Sequence, residues 1–196
     1  RRTYPNLLTM EAVRGGECYK FDDRFPSMAP PHLTIVPFTR NAVGPCDYTP
    51  GGFSNHLYPH LSTYGFELAL PVVIESGIMH HMDTPELTLS LPPFAVEYLK
   101  EIPVCWDETR YISGYPGKEV VLARRKGDRW YLAGINGEDH AKELSLNLLK
   151  TGSSPERIVI YTDGDQGNRL QMTEIHLAAG KLDIHMEPYG GFVGIW

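Results

Sequence analysis

The chain has 196 residues and a mass of 22.1 kDa, and its 42% hydrophobic content is enough to bury a core, which excludes a disordered chain. Its 18 Lys and Arg against 24 Asp and Glu give a net charge of −6, and the longest basic run is Arg124–Lys126, so no nucleic-acid partner is expected. We find neither a window of ~18 apolar residues that could span a membrane nor the apolar stretch of a signal peptide.

The first hundred residues contain short apolar runs, Gly- and Pro-rich loops and helical periodicity in the order typical of βα units. The run His32–Val36 is predicted as a strand. A helix is predicted from Tyr64 to Met82 with Thr63 as a possible cap, and Pro71 predicts a kink or a break inside it. A second, shorter helix is predicted between Pro92 and Pro103. This part therefore indicates an α/β structure.

From about residue 119 the apolar residues alternate, which is the period of a strand with one buried face. Turn residues such as Lys126–Asp128 and Tyr189–Gly191 separate the alternating runs. Seven short strands at this spacing predict an antiparallel β-sandwich. The predicted strands are 119–125, 129–135, 142–148, 157–162, 169–177, 181–187 and 191–195.

Two carboxylates, Glu11 and Glu17, follow the short apolar run Leu7–Leu8. Side chains placed just after a barrel strand point into the mouth where active sites form, and glycines at positions 15 and 16 let the chain turn Glu17 back toward the centre. Such a pair performs acid–base chemistry or binds a hard cation. The alternative is that Glu11 pairs with Arg14 and that Glu17 is solvated.

A second polar loop follows the run Ile35–Phe38 and holds several polar side chains close together in a stretch punctuated by proline. These side chains could line the same mouth, or the loop could be a stiff connection in which Asp47 caps a turn. The sequence leaves both open. The residues are Arg40, Asn41, Asp47 and Tyr48.

Other patterns favour structural roles. His80–His81 is predicted at the end of the first helix, where imidazole suits the helix dipole. The segment Asp163–Asn168 resembles a calcium loop, but Asn168 stands where that motif requires Gly, so a hairpin loop is favoured. Cys18 is interpreted as a packing residue. The three cysteines form no C-x-x-C pair, so neither a disulfide framework nor a cysteine zinc site is indicated.

Four blocks of the sequence resemble glycoside hydrolase family 97, and they occur in the order of that family. The blocks are TYPNLLTMEAVRGGE, LTIVPFTRNAVGPCDYTPGGF, ELALPVVIESGIMHHMDTPE and WDETRYISGYPGKEVVLARRKGDRWYLAGINGE, and YGGFV resembles the end of the family's chains. The resemblance implies that this chain is a C-terminal portion only. Its fold class would be α/β plus all-β: the C-terminal part of a (β/α)8 barrel at residues 1–108, followed by an antiparallel β-sandwich at 109–196.

The resemblance also implies a function. It places barrel strands near Tyr4–Leu8 and Leu33–Phe38, makes Glu17 the general acid, and makes Glu11 a ligand of an active-site calcium ion. The protein would be a periplasmic or secreted calcium-dependent α-glucosidase or α-galactosidase that hydrolyses terminal α-linked sugars of oligosaccharides. The rest of the enzyme, with the nucleophile or base, would lie outside this chain. The alternative is a non-catalytic β-sandwich module for binding or assembly that carries a barrel remnant.

Overall fold

A computed structural model describes residues 6–10, 13–50, 52–55, 57–165 and 169–196 of the chain. It contains helices in the first half and strands in the second. The helices are α1 (Phe25–Ile35), α2 (Tyr64–Val73), α3 (Pro85–Leu89) and α4 (Pro93–Glu101), and shorter 3-10 helices occupy Gly16–Lys20, Val36–Phe38, Asn41–Val43 and Leu148–Thr151. The strands are β1 (Glu108–Tyr115), β2 (Glu119–Lys126), β3 (Arg129–Asn136), β4 (Lys142–Asn147), β5 (Arg157–Asp163), β6 (Leu170–His176), β7 (Lys181–Met186) and β8 (Gly191–Ile195).

The strands form two antiparallel sheets. The larger has the order β1-β2-β3-β8-β5-β6, and the smaller pairs β4 with β7. All seven predicted strands are present, with bounds that differ by at most one residue, so the prediction of an antiparallel β-domain is confirmed. The predicted hairpin at Asp163 is also confirmed, because β5 pairs directly with β6.

An apolar core fills the space between the two sheets. Inward-facing residues alternate along each strand, as the two-residue period requires. Gly134 lies opposite Phe192 in the β3–β8 pair, and a Cβ at position 134 would come within 2.4 Å of the Phe192 ring. The core includes Ile112, Val121, Trp130, Leu132, Leu146, Leu148, Ile158, Ile160, Leu182, Ile184, Met186 and Phe192.

The opposite face of the larger sheet packs against helices α1 and α2. Its side chains belong to a second apolar core, which continues into the first half of the chain. The sheet residues in this core include Val120, Leu122, Tyr131, Ala133, Ile135 and Val193. The central strands β2, β3 and β8 of the larger sheet are therefore buried on both faces, by strands on one side and by helices on the other.

Helix α2 begins as predicted and ends earlier. The Thr63 side chain caps it by accepting a hydrogen bond from Phe66 N at 3.2 Å. The helix ends at Val73, two residues after Pro71, and Ile74 is already extended. Proline weakens the helix here because it lacks the backbone N–H that would donate a helical hydrogen bond. His81 therefore does not end a helix, and His80–His81 lies in the following loop.

The predicted strands at His32–Val36 and Leu33–Phe38 are wrong, because α1 and the 3-10 helix Val36–Phe38 occupy those residues. Phe25, Ala29 and Leu33 repeat every four residues and are buried on one face of α1, and this burial outweighs the donors lost at its prolines. The predicted strand near Tyr4–Leu8 lies partly outside the described residues.

In the first half of the chain, three further segments alternate with α1 and α2 along the sequence. They are residues 7–10, 46–50 and 77–82. We call them the bridged segments. Asp47 N donates to Met10 O at 2.8 Å, and Met82 N donates to Pro50 O at 3.0 Å. An isolated parallel bridge joins Tyr48 to Met79. The described residues at the ends of these segments, Met10, Pro50 and Met82, therefore belong to one hydrogen-bonded group.

Candidate active site

The turn that carries Glu17 is held by backbone contacts and by a glycine. Gly16 N donates to Thr49 O at 2.8 Å, which ties the turn to the second bridged segment. A Cβ at Gly15 would lie 2.5 Å from Glu17 Oε2 and 2.9 Å from Thr49 N, so no larger residue fits there. Glu17 then occupies the first turn of the 3-10 helix Gly16–Lys20.

The Glu17 carboxylate is half-buried. Its Oε1 accepts a hydrogen bond from Gly15 N at 3.2 Å. Its Oε2 is buried and has no hydrogen-bond partner among the described residues. A buried carboxylate oxygen without a partner is costly, which is typical of an atom whose partner is a substrate, an ion or another part of the protein. The alternative of a solvated Glu17 is therefore not supported.

Arg14 binds Asp22, which the sequence analysis did not single out. The Arg14 guanidinium donates to Asp22 Oδ2, and its carbon lies 5.4 Å from the centre of the Phe25 ring. The hydrogen bond from Arg14 lowers the pKa of Asp22. The predicted metal ligand Glu11 lies outside the described residues, so its own partners stay a prediction.

The polar loop has a mainly structural role at Arg40 and Asn41. The Arg40 guanidinium donates to the carbonyl oxygens of Met10, at 3.0 Å, and of Gly44 and Pro45, both at 3.3 Å. Asn41 bonds both backbone groups of Glu75, at 2.9 and 3.0 Å. Tyr48 is fully buried, and burial raises the pKa of its phenol well above its usual value. The Asp47 side chain is exposed, and the backbone N of Asp47 donates to Met10 O.

Two buried carboxylates beside the turn that carries Glu17 were missed by the sequence analysis. Glu67 on α2 accepts hydrogen bonds from Gly52 N at 3.1 Å and from Ser62 Oγ at 2.6 Å. Asp83 accepts from Phe53 N at 2.7 Å and from the Ser54 hydroxyl. The available signal was the position of Glu67, a single charge within an otherwise apolar helix.

The described residues contain no group of three His, Cys, Asp or Glu side chains placed to hold a metal ion. The hard cations that carboxylates favour take six to eight oxygen ligands, so the donors present here could supply only part of such a shell. Of the cysteines, Cys18 is buried, in agreement with its interpretation as a packing residue.

The larger sheet and the helices that cover it define the class of structure to which the chain belongs: an antiparallel β-domain with helices packed on one face. Comparison with known proteins gives the family. Residues 105–195 match the family model described as "Glycosyl-hydrolase 97 C-terminal, oligomerisation". These residues belong to the C-terminal domain of glycoside hydrolase family 97, and the chain corresponds to the C-terminal portion of a family member.

Two curated relatives match almost the whole chain. A probable retaining alpha-galactosidase of Streptomyces bingchenggensis is 35% identical over 100% of this chain and 29% of its own length. A retaining alpha-galactosidase of Bacteroides thetaiotaomicron is 34% identical over 97% of this chain and 31% of its own length. The chain thus spans less than a third of the relatives it matches.

Solved structures match in the same proportion. A crystal structure of a beta-arabinopyranosidase has a TM-score of 0.89 and 31% identity, and the match covers 98% of this chain and 32% of that one. A glycoside hydrolase family 97 enzyme of Pseudoalteromonas sp. strain K8, in complex with panose, has a TM-score of 0.79 and 28% identity over 100% of this chain and 32% of that one.

The longest described helix of the present chain has 11 residues, so no described helix could span a membrane.

Proposed function

We propose that this chain is the C-terminal part of an enzyme that hydrolyses terminal α-linked sugars, and that Glu17 donates the proton to the glycosidic oxygen. The observation that carries the proposal is the Glu17 carboxylate, whose buried Oε2 has no partner among the described residues. As the bond from the anomeric carbon to oxygen breaks, the carboxyl proton passes to the leaving oxygen. The carboxylate then takes a proton from the water that completes hydrolysis.

The substrate class rests on the relatives. Both curated relatives are named retaining alpha-galactosidases, which favours α-galactosides and retention of configuration. A retaining enzyme needs a second carboxylate as nucleophile, about 5 to 5.5 Å from the acid, and in our proposal that residue lies in the part of the enzyme outside this chain. A panel of aryl α-galactoside, aryl α-glucoside and aryl β-arabinopyranoside distinguishes the possible sugars.

We further propose that the bridged segments are the last strands of a (β/α)8 barrel. Their alternation with α1 and α2 and the parallel bridge between Tyr48 and Met79 support this. Leu8, Met10 and Ile78 lie on these segments and are 56, 54 and 43% exposed, so further strands have apolar side chains to cover. Polar groups after the strand ends would then face a shared mouth.

Glu11 is our proposed calcium ligand. It follows the first bridged segment, whose Met10 carbonyl is fixed by Arg40 and by Asp47 N. A carboxylate at this place has the hard oxygen donors that calcium takes. It would supply one ligand, and the remaining ligands would come from the rest of the enzyme. A bound calcium ion would add positive charge that orients the substrate and the neighbouring carboxylates.

A second role for residues 105–195 is assembly, and the description of the matching family model favours it. This role is compatible with catalysis, because the sheet and Glu17 occupy different parts of the chain. If replacing Glu17 had no effect on turnover, the alternative function would be favoured: a module that binds sugars or subunits without hydrolysing them.

The test is the Glu17→Gln variant of the full-length enzyme. We expect kcat/KM for an unactivated α-linked disaccharide, which reports cleavage of the glycosidic bond, to fall by about a hundredfold or more, whereas kcat/KM for an aryl glycoside with a good leaving group falls much less, because its leaving group needs no proton. The later step, in which Glu17 takes a proton from water, is the same for both substrates and does not contribute to this contrast. Glu174→Gln is the matched control, since Glu174 is exposed on β6.

The contrast between the two substrates decides the outcome. An equal fall for both substrates would assign Glu17 to positioning or metal binding. If neither fell, the acid would lie elsewhere, and the exposed Asp47 would be the next residue of this chain to replace.

A further inference from the structure

One buried side chain holds both ends of a loop that we call the loop 52–62, of which the structure describes residues 52–55 and 57–62. This loop leaves the second bridged segment after Pro50 and returns to the chain just before α2. At its start, Gly52 N donates to Glu67 Oε2 at 3.1 Å, and at its end Ser62 Oγ donates to Glu67 Oε1 at 2.6 Å. His60 joins the same group, since its Nδ1 lies 3.2 Å from Ser62 Oγ and 2.7 Å from Ser62 O.

The position of Glu67 is energetically expensive. The residue is 4% exposed on a helix whose remaining buried side chains are apolar. Burial raises the pKa of its carboxyl, while His60 and the hydrogen bonds from Ser62 and Gly52 act in the opposite direction. An apolar residue would suit this face of α2 better, so the carboxyl serves the loop rather than the helix.

The clamped loop packs directly on the turn that carries Glu17. Tyr58 N donates to Tyr19 O at 3.0 Å, and the Tyr19 ring meets the His60 ring edge-on at 5.9 Å between centres. Tyr19 is 3% exposed and follows Glu17 by two residues in the same 3-10 helix. A shift of the loop therefore moves the backbone that orients Glu17.

A second contact links the start of the loop to the same turn. The Met82 side chain lies between two glycines: a Cβ at Gly16 would be 3.0 Å from its Sδ, and a Cβ at Gly52 would be 2.8 Å from its Cε. Asp83, the next residue, holds Phe53 N at 2.7 Å. The loop start is thus packed against the Glu17 turn as well as clamped by Glu67.

We propose that Glu67 is a positioning residue for Glu17, acting by clamping the loop 52–62 against the 3-10 helix Gly16–Lys20. The inference rests on the proposed function of Glu17. Glu67 touches neither the Glu17 carboxylate nor, in this proposal, the substrate; it fixes the direction in which the proton donor points.

The test compares Glu67→Ala with Glu67→Gln in the full-length enzyme, and Glu97→Ala on the exposed face of α4 is the control. Misplacing a catalytic group by about 1 Å costs up to a hundredfold, so we expect Glu67→Ala to lower kcat/KM for an unactivated disaccharide by about 10- to 100-fold. The aryl glycoside should lose far less. The Gln variant should restore most of the activity, because its carbonyl oxygen can accept from Gly52 N and its amide can donate to Ser62 Oγ.

Hydrogen exchange of the peptide that contains the loop supplies a readout besides activity. We expect Glu67→Ala, but not Glu67→Gln, to lose protection at the Gly52 and Tyr58 amides. Lost protection with an unchanged ratio of kcat/KM between the disaccharide and the aryl glycoside would overturn the link to Glu17. Retained protection would overturn the clamp itself.

A second variant and the Glu17→Gln result distinguish the ways in which the positioning role can fail. If Glu67→Ala fails to fold, Ser62→Ala removes only one of the two hydrogen bonds and should give a smaller change of the same kind; no change in exchange or in the substrate ratio would refute the clamp. If Glu17→Gln shows no substrate contrast, the proposed function fails, whatever the exchange of the loop. If Glu17→Gln shows the contrast and Glu67→Ala does not, only the positioning role fails.

Discussion

Replacing Gly65 by Ala is expected to destabilise the protein, although this substitution usually stabilises a helix. Alanine is favoured over glycine inside a helix by up to about 1 kcal/mol. At position 65, however, a Cβ would lie 2.4 Å from Gly191 O and 2.8 Å from the Asp163 carboxyl. Gly191 begins β8, which is paired on both sides in the middle of the larger sheet, so its carbonyl cannot move aside alone.

The magnitude follows from what the added methyl displaces. Asp163 accepts hydrogen bonds from Gly65 N and from Thr63 Oγ1, both at 2.6 Å, and thereby ties the start of α2 to the end of β5. Moving the helix away weakens this cap, which costs about 1 kcal/mol, and overpacking costs about 1 to 3 kcal/mol. After subtraction of the helix preference, we expect a net loss of about 1 to 3 kcal/mol.

Urea unfolding of the full-length protein measures this loss. The control is Gly164→Ala, one residue after Asp163, where the nearest atom that an added Cβ would meet among the described residues is Arg169 Cβ at 3.5 Å. We expect the control to lie within about 0.5 kcal/mol of the parent protein. A Gly65→Ala protein as stable as the parent, or more stable, would refute the close packing of α2 on β8.

Two further predictions concern calcium and the sheet. Chelation of calcium should lower the activity of the full-length enzyme, and Glu11→Gln should raise the calcium concentration needed for recovery by about tenfold or more, because it removes one charged ligand; an unchanged calcium titration would exclude Glu11 as a ligand. A fragment of residues 105–196 should bind a hydrophobic dye and unfold more easily than the longer chain, because removing α2 uncovers side chains such as Val120 and Val193; a dye-free fragment of equal stability would contradict this.

Most of the β-domain could be predicted from the sequence because its strands alternate and their turns contain the residues that turns need. Strand β1 was missed because it is an edge strand with a single fully buried residue, Ile112. A register shift between Tyr111 and Ser113 and the positive φ of 133° at Gly114 further break its pattern. Local sequence carries little information about an edge strand that forms because it pairs with its neighbour, here β2.

The first half was harder to predict because tertiary packing overrides local preference there. Pro30 and Pro31 disfavour a helix, yet α1 forms because its apolar face is buried against the sheet. The Gly15–Gly16 turn did point to Glu17 as a candidate. For Glu67 the sequence offers a weaker sign, a single charge in an apolar helix, and for Asp83 it offers none. Carboxylates are normally exposed, and the partners of these two are backbone amides and serine hydroxyls of distant loop residues.

Helix α2 connects the larger sheet to the loop that packs on the Glu17 turn. In its first turn, Gly65 N donates a hydrogen bond to Asp163 at the end of β5. Glu67, two residues after Gly65, holds the loop that packs on the Glu17 turn. In the proposed enzyme, the sheet would therefore contribute to catalysis without contacting the sugar, by fixing the helix from which the loop is clamped. Since the sheet buries its second face on this same helix, the packing that stabilises the β-domain also fixes the position of Glu67.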